Sequence, residues 1–163
     1  MSRTCRQVAV GFPHHITPRG NNRQKIFFDD QDRITYLTLL LRYSVKYQLK
    51  VWSYCLMPNH THLLAVPTDE LGLSRGVGIA TMVYTQYFNR KYQRVGRLWQ
   101  DRFSSSAVLN DSYLWAVARY IANNPVVAGL VGSAEDYEWS SAKHHILDQA
   151  DPYVTESCWL FRE

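Results

Sequence analysis

Hydrophobic positions along the chain have the period of a β-strand in some stretches and the period of a helix in others. Residues 12–17 form a short apolar stretch that ends at a turn-forming run, residues 18–22, which predicts a first strand. The acidic run at 29–32 predicts a helix start, because carboxylates accept hydrogen bonds from the free amides of a first turn. Helical spacing then continues to about Gln48, with apolar positions at Ile34, Leu37, Leu41 and Val45.

The middle of the chain predicts a β-hairpin followed by a second helix. Residues 51–56 are rich in aromatic and β-branched side chains, which favour a strand. A tight turn at 57–59 leads into an antiparallel partner strand at 60–66. A long helix is then predicted to end near Tyr92, and its apolar positions are Leu73, Val77, Ala80, Tyr84 and Tyr87.

The last third of the chain predicts one more strand and one more helix. Residues 98–109 are assigned to a strand, and Asp111 or Ser112 is expected to cap a third helix that Pro125 terminates or kinks. The order βαββαβ is that of the ferredoxin-like (RRM-like) α+β fold, an antiparallel sheet with helices on one face. The additional C-terminal helix is expected to lie over a sheet edge or over the open face. We interpret residues 1–163 as a single domain.

Composition argues against disordered, disulfide-rich, membrane-spanning and secreted classes of protein. The chain has 163 residues, of which 46% are hydrophobic and 20% charged, so a buried core is expected and general disorder is not. Its three cysteines, Cys5, Cys55 and Cys158, lie far apart, which argues against a disulfide framework or a structural zinc site. Apolar runs are too short to span a bilayer, and the basic N-terminus does not resemble a secretory signal. We therefore expect a cytoplasmic protein with reduced thiols and no membrane partner.

Positive charge is concentrated in two places. The net charge is +4 and the sequence pI is near 9.0. One basic cluster follows the first predicted strand, and a second one, at residues 90–102, alternates with aromatic residues. This combination favours single-stranded nucleic acid, but composition alone leaves an ordinary solvated helix face equally open. The residues that we expect to contact DNA are Arg19, Arg23, Arg90, Lys91, Arg94, Arg97, Trp99 and Arg102.

A pair of histidines is the first candidate for chemistry. His60 and His62 lie two residues apart on a predicted strand, so both imidazoles project from one face and could hold a divalent cation. An isolated pair of this kind is more often two ordinary polar residues, but the setting of this pair, directly after residues 57–59 and directly before residues 63–66, favours a functional role. Adjacent strand residues face opposite ways, so at most one residue of the pair at 14–15 could join them. We assign structural or surface roles to the other histidines discussed, which are His14, His15, His144 and His145.

A tyrosine and an asparagine on the last predicted helix are the second candidate. Tyr120 and Asn124 are four residues apart and share a helix face. An amide oxygen beside a phenol could complete a metal shell that two histidines leave open. The chain has eleven tyrosines, however, and most tyrosines on helices are packed against a core. Spacing alone does not select Tyr120 over Tyr84, Tyr87 or Tyr113.

Several segments resemble one known family. Residues 57–64, Met-Pro-Asn-His-Thr-His-Leu-Leu, resemble the histidine motif of the REP-associated tyrosine transposases, a bacterial branch of the single-tyrosine HUH transposases. Other segments resemble the same family in the same order, and they are residues 15–23, 87–90, 96–103, 119–126 and 135–141. The resemblance covers about residues 10–145. It is the resemblance, and not the spacing, that selects Tyr120.

The resemblance implies an enzyme that cleaves and rejoins single-stranded DNA at or near palindromic hairpin elements in the bacterial cytoplasm. By position, His60 and His62 become metal ligands and Asn124 a third ligand. Tyr120 becomes the nucleophile that forms a 5′-phosphotyrosine, and Mg²⁺ or Mn²⁺ is the expected ion. The chain departs from the family at Thr61, because the residue between the histidines is usually hydrophobic. We expect Thr61 to point away from the ligands, and we leave the oligomeric state open between monomer and homodimer.

Two other functions remain open at this level. The first is a nucleic-acid-binding module of the same fold without catalysis. An RNA-recognition sheet would need aromatic residues on its two central strands; we expect Trp52 and Tyr54 on one such strand, whereas the other carries the histidines. The second is a metal-dependent hydrolase that uses water and would tolerate the loss of every tyrosine.

Overall fold

The computed structural model describes residues 4–156, and its centre is a four-stranded antiparallel sheet. The strands are β1 (His14–Thr17), β2 (Lys50–Met57), β3 (His60–Val66) and β4 (Ser104–Ala107), in the spatial order β2-β3-β1-β4. The helices are α1 (Asp30–Lys46), α2 (Ile79–Lys91), α3 (Asp111–Val127) and α4 (Ala142–Leu147). Short helical segments at Asn21–Arg23, Ser74–Gly78 and Ala134–Asp136 lie between them. The predicted ferredoxin-like α+β fold is confirmed.

Helix α1 begins where the acidic run predicted it. Asp29 is the N-cap, and its carboxylate accepts a hydrogen bond from the amide of Asp32 at 2.8 Å. The carboxylate of Asp32 accepts in return from the amides of Asp29 and Phe28, at 3.4 and 2.8 Å. This reciprocal capping fixes the start of α1.

Helix α3 begins and ends differently from the sequence prediction. Its N-cap is Asn110, whose side-chain oxygen accepts from the amide of Tyr113 at 2.9 Å, so the prediction of Asp111 or Ser112 as cap was wrong. Asp111 is instead the first helical residue. The helix also continues through Pro125 to Val127, so the proline does not terminate it.

The predicted strand at 98–109 is much shorter in the structure, where β4 is only Ser104–Ala107. The residues before it form a loop that is bonded to the loop after β1. The amide of Gln100 donates to the carbonyl of Arg19, and the amide of Asn21 donates to the carbonyl of Leu98, both at 2.8 Å. These two bonds form one isolated antiparallel bridge between Gly20 and Trp99, separate from the ladder of β1 with β4.

Each face of the sheet is covered by helices. Helices α1 and α2 pack on one face, where the core includes Ile16, Leu37, Leu40, Leu56, Leu63, Tyr84 and Phe88. Helix α3 covers the other face, and the second core includes Trp52, Leu64, Val66, Leu114, Val117, Ala118 and Ile121. Helix α3 is the additional C-terminal helix of the sequence prediction. It lies over the open face of the sheet, which is one of the two positions predicted for it.

A register irregularity in β2 separates two aromatic residues. The pairing of β2 with β3 shifts between Val51 and Ser53. Tyr54 consequently belongs to the core under α1, whereas Trp52 belongs to the core under α3. Both are buried, with 4% and 8% of their surface exposed. Strand β2 is also at the edge of the sheet, so the expectation that these two residues lie on a central strand was wrong. They cannot form the exposed stacking surface that the RNA-recognition alternative required.

Thr61 points away from His60 and His62, as expected. Its side chain is fully buried, and its Oγ1 atom lies 3.1 Å from the hydroxyl of Tyr36 on α1. The threonine that departs from the family pattern thus has a hydrogen-bond partner in the core, which offsets the cost of burying its hydroxyl.

Two expectations from composition concern the cysteines and the membrane. Cys5 and Cys55 are free thiols, and Cys158 lies outside the described residues. Among the helices of residues 4–156, none combines the length and the apolar character that a membrane crossing requires.

Candidate active site

Strand β3 brings two imidazoles together on the face that α3 covers. His62 is 1% exposed and His60 is half-buried. Their Nε2 atoms lie 3.2 Å apart. One cation bound to both at about 2.1 Å would hold the nitrogens about 3.0–3.4 Å apart, for bond angles between about 90° and 109°. The spacing of the pair fits a shared divalent ion.

A neighbouring amide fixes the proton of His60. The Nδ1 atom of His60 lies 2.6 Å from the Oδ1 atom of Asn59. Because an amide oxygen only accepts, Nδ1 of His60 donates, and the neutral ring keeps its lone pair on Nε2. That lone pair faces His62, where a cation would be bound.

Burial keeps both imidazoles neutral. Burial and, to a smaller extent, the charge of Arg19 lower the pKa of His60 to about 4, against an opposing interaction with the side chain of Asn124. Burial also lowers the pKa of His62 to about 3, with additional contributions from the nearby His60, His15 and Arg19. Near neutral pH, both rings therefore offer lone pairs rather than positive charge.

Helix α3 places Tyr120 against this pair. Its ring lies 5.4 Å from that of His62, centroid to centroid, in an edge-to-face arrangement. The side chain is 53% exposed, so a ligand can reach it. The side chain of Asn124, one helical turn later, interacts with His60 and raises the pKa of that ring. The structure thus brings the four residues predicted from the family resemblance into one site of a single chain.

The other tyrosines that spacing left open are distinguished by their positions. Tyr84 and Tyr87 lie on α2, on the opposite side of the sheet, where Tyr84 is fully buried. Tyr113 lies on the first turns of α3, about 10 Å along the helix axis from Tyr120. Contact with the histidine pair is therefore a property that separates Tyr120 from these three.

His15, for which the sequence pattern predicted a structural or surface role, is a member of the site. Its Nε2 atom lies 3.0 Å from Nδ1 of His62, and the two rings stack with centroids 5.2 Å apart. Its ring also contacts Tyr120 edge to face, at 5.9 Å. Only the antiparallel register of β1 with β3, which sets His15 opposite Leu64, reveals this position.

The remaining histidines have other partners. His14 faces the opposite side of the sheet, accepts at Nε2 from the amide of Ala9 at 3.2 Å and donates from Nδ1 to the carbonyl of Phe12 at 2.8 Å. His144 and His145 lie on α4 and contact Gln149 and Ser141. The assignment of His14 to a structural role is consistent with these contacts.

The ligands that the site offers to a metal are neutral. Within residues 4–156, no group of three or more His, Cys, Asp or Glu side chains is arranged to hold a metal ion. A cation here would rest on the imidazoles of His60 and His62 and the amide of Asn124. Without a carboxylate ligand it would keep its full charge for oxygens of a bound phosphate, which are good ligands for a hard cation.

Comparison with known protein families agrees with this constellation. The family described as "Transposase IS200 like" matches residues 10–124. The chain belongs to the IS200-like transposase family. The matched range contains the histidine pair and Tyr120, and it ends at Asn124.

Two solved structures share the fold of this IS200-like transposase. The structure of a REP-associated tyrosine transposase bound to a REP hairpin superposes with a TM-score of 0.70 and 18% identity, covering 97% of this chain and 93% of that chain. A protein from Deinococcus radiodurans R1, described as a proposed transposase, superposes with a TM-score of 0.50 and 16% identity, covering 76% of this chain and 97% of that chain. At 18% and 16% identity, the structural similarity establishes a shared fold and nothing more. None of the curated proteins compared with this chain matches it significantly.

The two basic clusters of the transposase meet beside the site. Arg19 follows β1 and forms an isolated antiparallel bridge with His60. Its carbonyl accepts from the amide of Gln100, which ties the first cluster to the second. Arg19 is exposed, and its charge acts on three histidines of the site, lowering their pKa values. Positive charge is thus available where a phosphate would approach the histidines.

Several of the residues expected to contact DNA bond to other groups of the protein, although Lys91 is itself exposed. The ammonium of Lys91 lies 2.6 Å from Asp29 and 2.9 Å from Asp32. The indole N–H of Trp99 donates to Thr81 and Thr85, and the guanidinium of Arg94 donates to Gln24 at 2.6 Å. The exposed members of the predicted set are Arg19, Arg23, Arg90, Lys91, Arg97 and Arg102, and the guanidinium of Arg102 also donates to the carbonyl of Thr4 at 3.1 Å.

Proposed function

We propose that this transposase cleaves and rejoins single-stranded DNA at or near hairpin elements, through a covalent bond to Tyr120. The observation that carries this proposal is the contact between Tyr120 and His62, whose ring centroids are 5.4 Å apart. Both residues belong to the same chain. Membership in the IS200-like family supports the class of reaction. The hairpin bound to the structurally similar REP-associated transposase supports the class of substrate and the assignment to that branch.

In the proposed reaction, the phenolic oxygen of Tyr120 attacks the scissile phosphorus. The bond from phosphorus to the 3′-oxygen breaks, the phenolic proton is lost, and the 3′-oxygen gains a proton. The products are a 5′-phosphotyrosine and a free 3′-hydroxyl. Attack by another 3′-hydroxyl on the phosphotyrosine reverses these changes and joins two strands. One phosphoester replaces another in each step, so no nucleotide cofactor is needed.

The proposed metal ligands are His60, His62 and Asn124, and the ion is Mg²⁺ or Mn²⁺. When bound, such an ion polarises the scissile phosphate and stabilises charge on the pentacoordinate phosphorus. The chain contributes two neutral imidazoles, because burial lowers the pKa of both rings. The half-exposed ring of Tyr120 leaves room for a DNA strand beside them.

The exposed basic residues are proposed to hold the DNA backbone. Arg19 is the closest to the chemistry, since it bridges to His60 through the backbone. Arg97 and Arg102 lie in the loop that is bonded to the Arg19 loop. Phosphate contacts of this kind fix the register of a nucleic acid without reading its sequence.

All proposed catalytic groups come from one chain, so we propose that a monomer cleaves with its own tyrosine. The contact of α3 with β2 and β3 is part of the second core, which includes Val117 and Ile121 of the helix. A partner subunit is not required to bring the nucleophile to the histidines.

The test is incubation with an end-labelled single-stranded hairpin oligonucleotide and Mn²⁺, followed by a denaturing gel. We expect a band of protein-linked DNA from the wild type and from Tyr113→Phe, a matched control on the same helix, and none from Tyr120→Phe. Cleavage without any linked protein would indicate a hydrolase that uses water. Binding without cleavage by the wild type would indicate a binding module.

A further inference from the structure

We infer that His15 is a positioning residue for His62: it accepts a hydrogen bond from Nδ1 of His62 and thereby leaves the lone pair of Nε2 available to a cation. This inference rests on the proposed function, because it takes His62 to be a metal ligand. It assigns a role to a residue that neither the histidine motif nor the tyrosine motif contains.

The geometry of the three rings carries the inference. Nδ1 of His62 lies 3.0 Å from Nε2 of His15, which is a normal hydrogen-bond distance. The other nitrogen of the same ring, Nε2, lies 3.2 Å from Nε2 of His60. His62 therefore has one nitrogen directed at His15 and the other at the proposed cation position.

A neutral imidazole has one N–H and one lone pair, so the two contacts of His62 are coupled. If Nε2 binds a cation, the proton must be on Nδ1, and Nδ1 then needs an acceptor. His15 supplies that acceptor. Partners of this kind, on the far nitrogen of a metal-bound histidine, orient the ring and fix its tautomer.

A histidine at position 15 can also form a hydrogen bond with Nδ1 of His62 when no cation is bound. Nε2 of His60 keeps a lone pair because Nδ1 of that ring donates to Asn59. Without a cation, Nε2 of His62 can donate to it, and His15 then donates to Nδ1 of His62. A carboxylate at this position would only accept. Histidine preserves the contact in both states, so the ring of His62 keeps its orientation while the cation enters.

Ring packing is a second contact of His15 that the test must separate from hydrogen bonding. The ring of His15 stacks on His62 at an angle of 27° and contacts Tyr120 edge to face. His15→Phe keeps an aromatic ring but removes both nitrogens. His15→Gln loses the ring but retains a group that can donate or accept.

The first measurement is Mn²⁺ affinity of the full chain without DNA, from the electron paramagnetic resonance signal of free Mn²⁺. We expect His15→Phe to bind Mn²⁺ about 10–100-fold more weakly than the wild type, the range typical of lost partners of metal ligands. We expect His15→Gln to recover much of the affinity. Thermal unfolding of the metal-free variants checks that each one is folded.

The second measurement reads the tautomer directly in the wild type and needs no variant. Long-range ¹H–¹⁵N spectra of ¹⁵N-histidine-labelled protein with saturating Zn²⁺, a diamagnetic probe, should show His62 protonated on Nδ1. Protonation on Nε2, or Mn²⁺ binding by His15→Phe as tight as that of the wild type, would overturn the inference. His62→Ala distinguishes a failure of the proposed metal site from a failure of the role of His15. If His62→Ala and His15→Phe both bind Mn²⁺ like the wild type, the proposed metal site is wrong. If His62→Ala loses binding and His15→Phe does not, only the role of His15 is wrong.

Discussion

Tyr120 on α3 and His62 on β3 meet edge to face, with 5.4 Å between ring centroids and 83° between ring planes. The contact joins an exposed helix residue to a buried strand residue, so it exists only when α3 is docked on the sheet. Formation of the candidate active site therefore depends on the packing of the second core.

Loosening α3 should consequently impair cleavage more than an equal loss of stability elsewhere. Ile121 is 1% exposed in the second core, next to Tyr120 in sequence. We expect Ile121→Ala to lower the free energy of unfolding by about 2–5 kcal/mol and to slow cleavage severalfold, while hairpin binding changes little. Leu40→Ala on α1, also 1% exposed, is the matched control. Urea unfolding and cleavage rates check this, and equal slowing by both variants would argue against the coupling.

The histidine pair should be required for cleavage but not for binding. We expect His60→Ala and His62→Ala to abolish cleavage while hairpin affinity, measured by fluorescence anisotropy, stays within a few-fold. The reason is that each substitution would remove a proposed ligand of the cation and leave the exposed arginines in place. Full cleavage by the wild type in excess EDTA would refute the metal assignment.

The exposed arginines should contribute to DNA affinity without regard to sequence. Arg97 is exposed, whereas Arg94 is half-buried, bonds Gln24 and lies over the ring of Phe88. Losing one phosphate contact lowers the slope of affinity against salt, on logarithmic axes, by about 0.7 on single strands. We expect that change for Arg97→Ala and a smaller one for Arg94→Ala. Anisotropy titrations at several salt concentrations check this. A slope unchanged by Arg97→Ala would mean that Arg97 is an ordinary solvated residue that makes no phosphate contact.

Asp32 should make the fold sensitive to acid. Burial alone would raise its pKa, but hydrogen bonds from Tyr92, the Phe28 amide, Lys91 and Tyr87 outweigh burial and lower it. A lowered folded-state pKa contributes stability that is complete above the unfolded value of about 4 and is lost as the pH falls through the folded value.

The corresponding substitution is Asp32→Asn, with Asp30→Asn on the exposed side of the same helix turn as control. At pH 7 we expect Asp32→Asn to lower the free energy of unfolding by about 2–4 kcal/mol, because it removes the buried carboxylate that accepts from two tyrosine hydroxyls and from Lys91, which keeps only Asp29. The difference from the wild type should shrink in acid. Urea unfolding at pH 7 and pH 3 measures it, and a difference independent of pH would contradict the assignment.

Local pattern was enough to predict the order of the elements. Strand and helix periods of the apolar residues specify β2, β3 and α1 within a few residues, and the capping residue Asp29 specifies the start of α1. The HxH spacing also placed both imidazoles on one face, because strand side chains alternate.

Features that depend on long-range pairing could not be read from the sequence. The place of His15 in the site follows from its register against Leu64, and the burial of Trp52 and Tyr54 on opposite faces follows from the irregularity in β2. The loop at 98–103 has an extended, aromatic sequence, yet its backbone bonds go to residues near Arg19. Tertiary contacts decided each of these outcomes against or beyond local preference.

The most direct test of the account is to locate the DNA on the protein. The wild-type adduct with a hairpin oligonucleotide is digested with protease and nuclease, and the modified peptide is sequenced by mass spectrometry. The account predicts a nucleotide joined through its 5′-phosphate to Tyr120 and to no other tyrosine. A nucleotide on Tyr84, Tyr87 or Tyr113, or cleavage with no modified tyrosine at all, would contradict it.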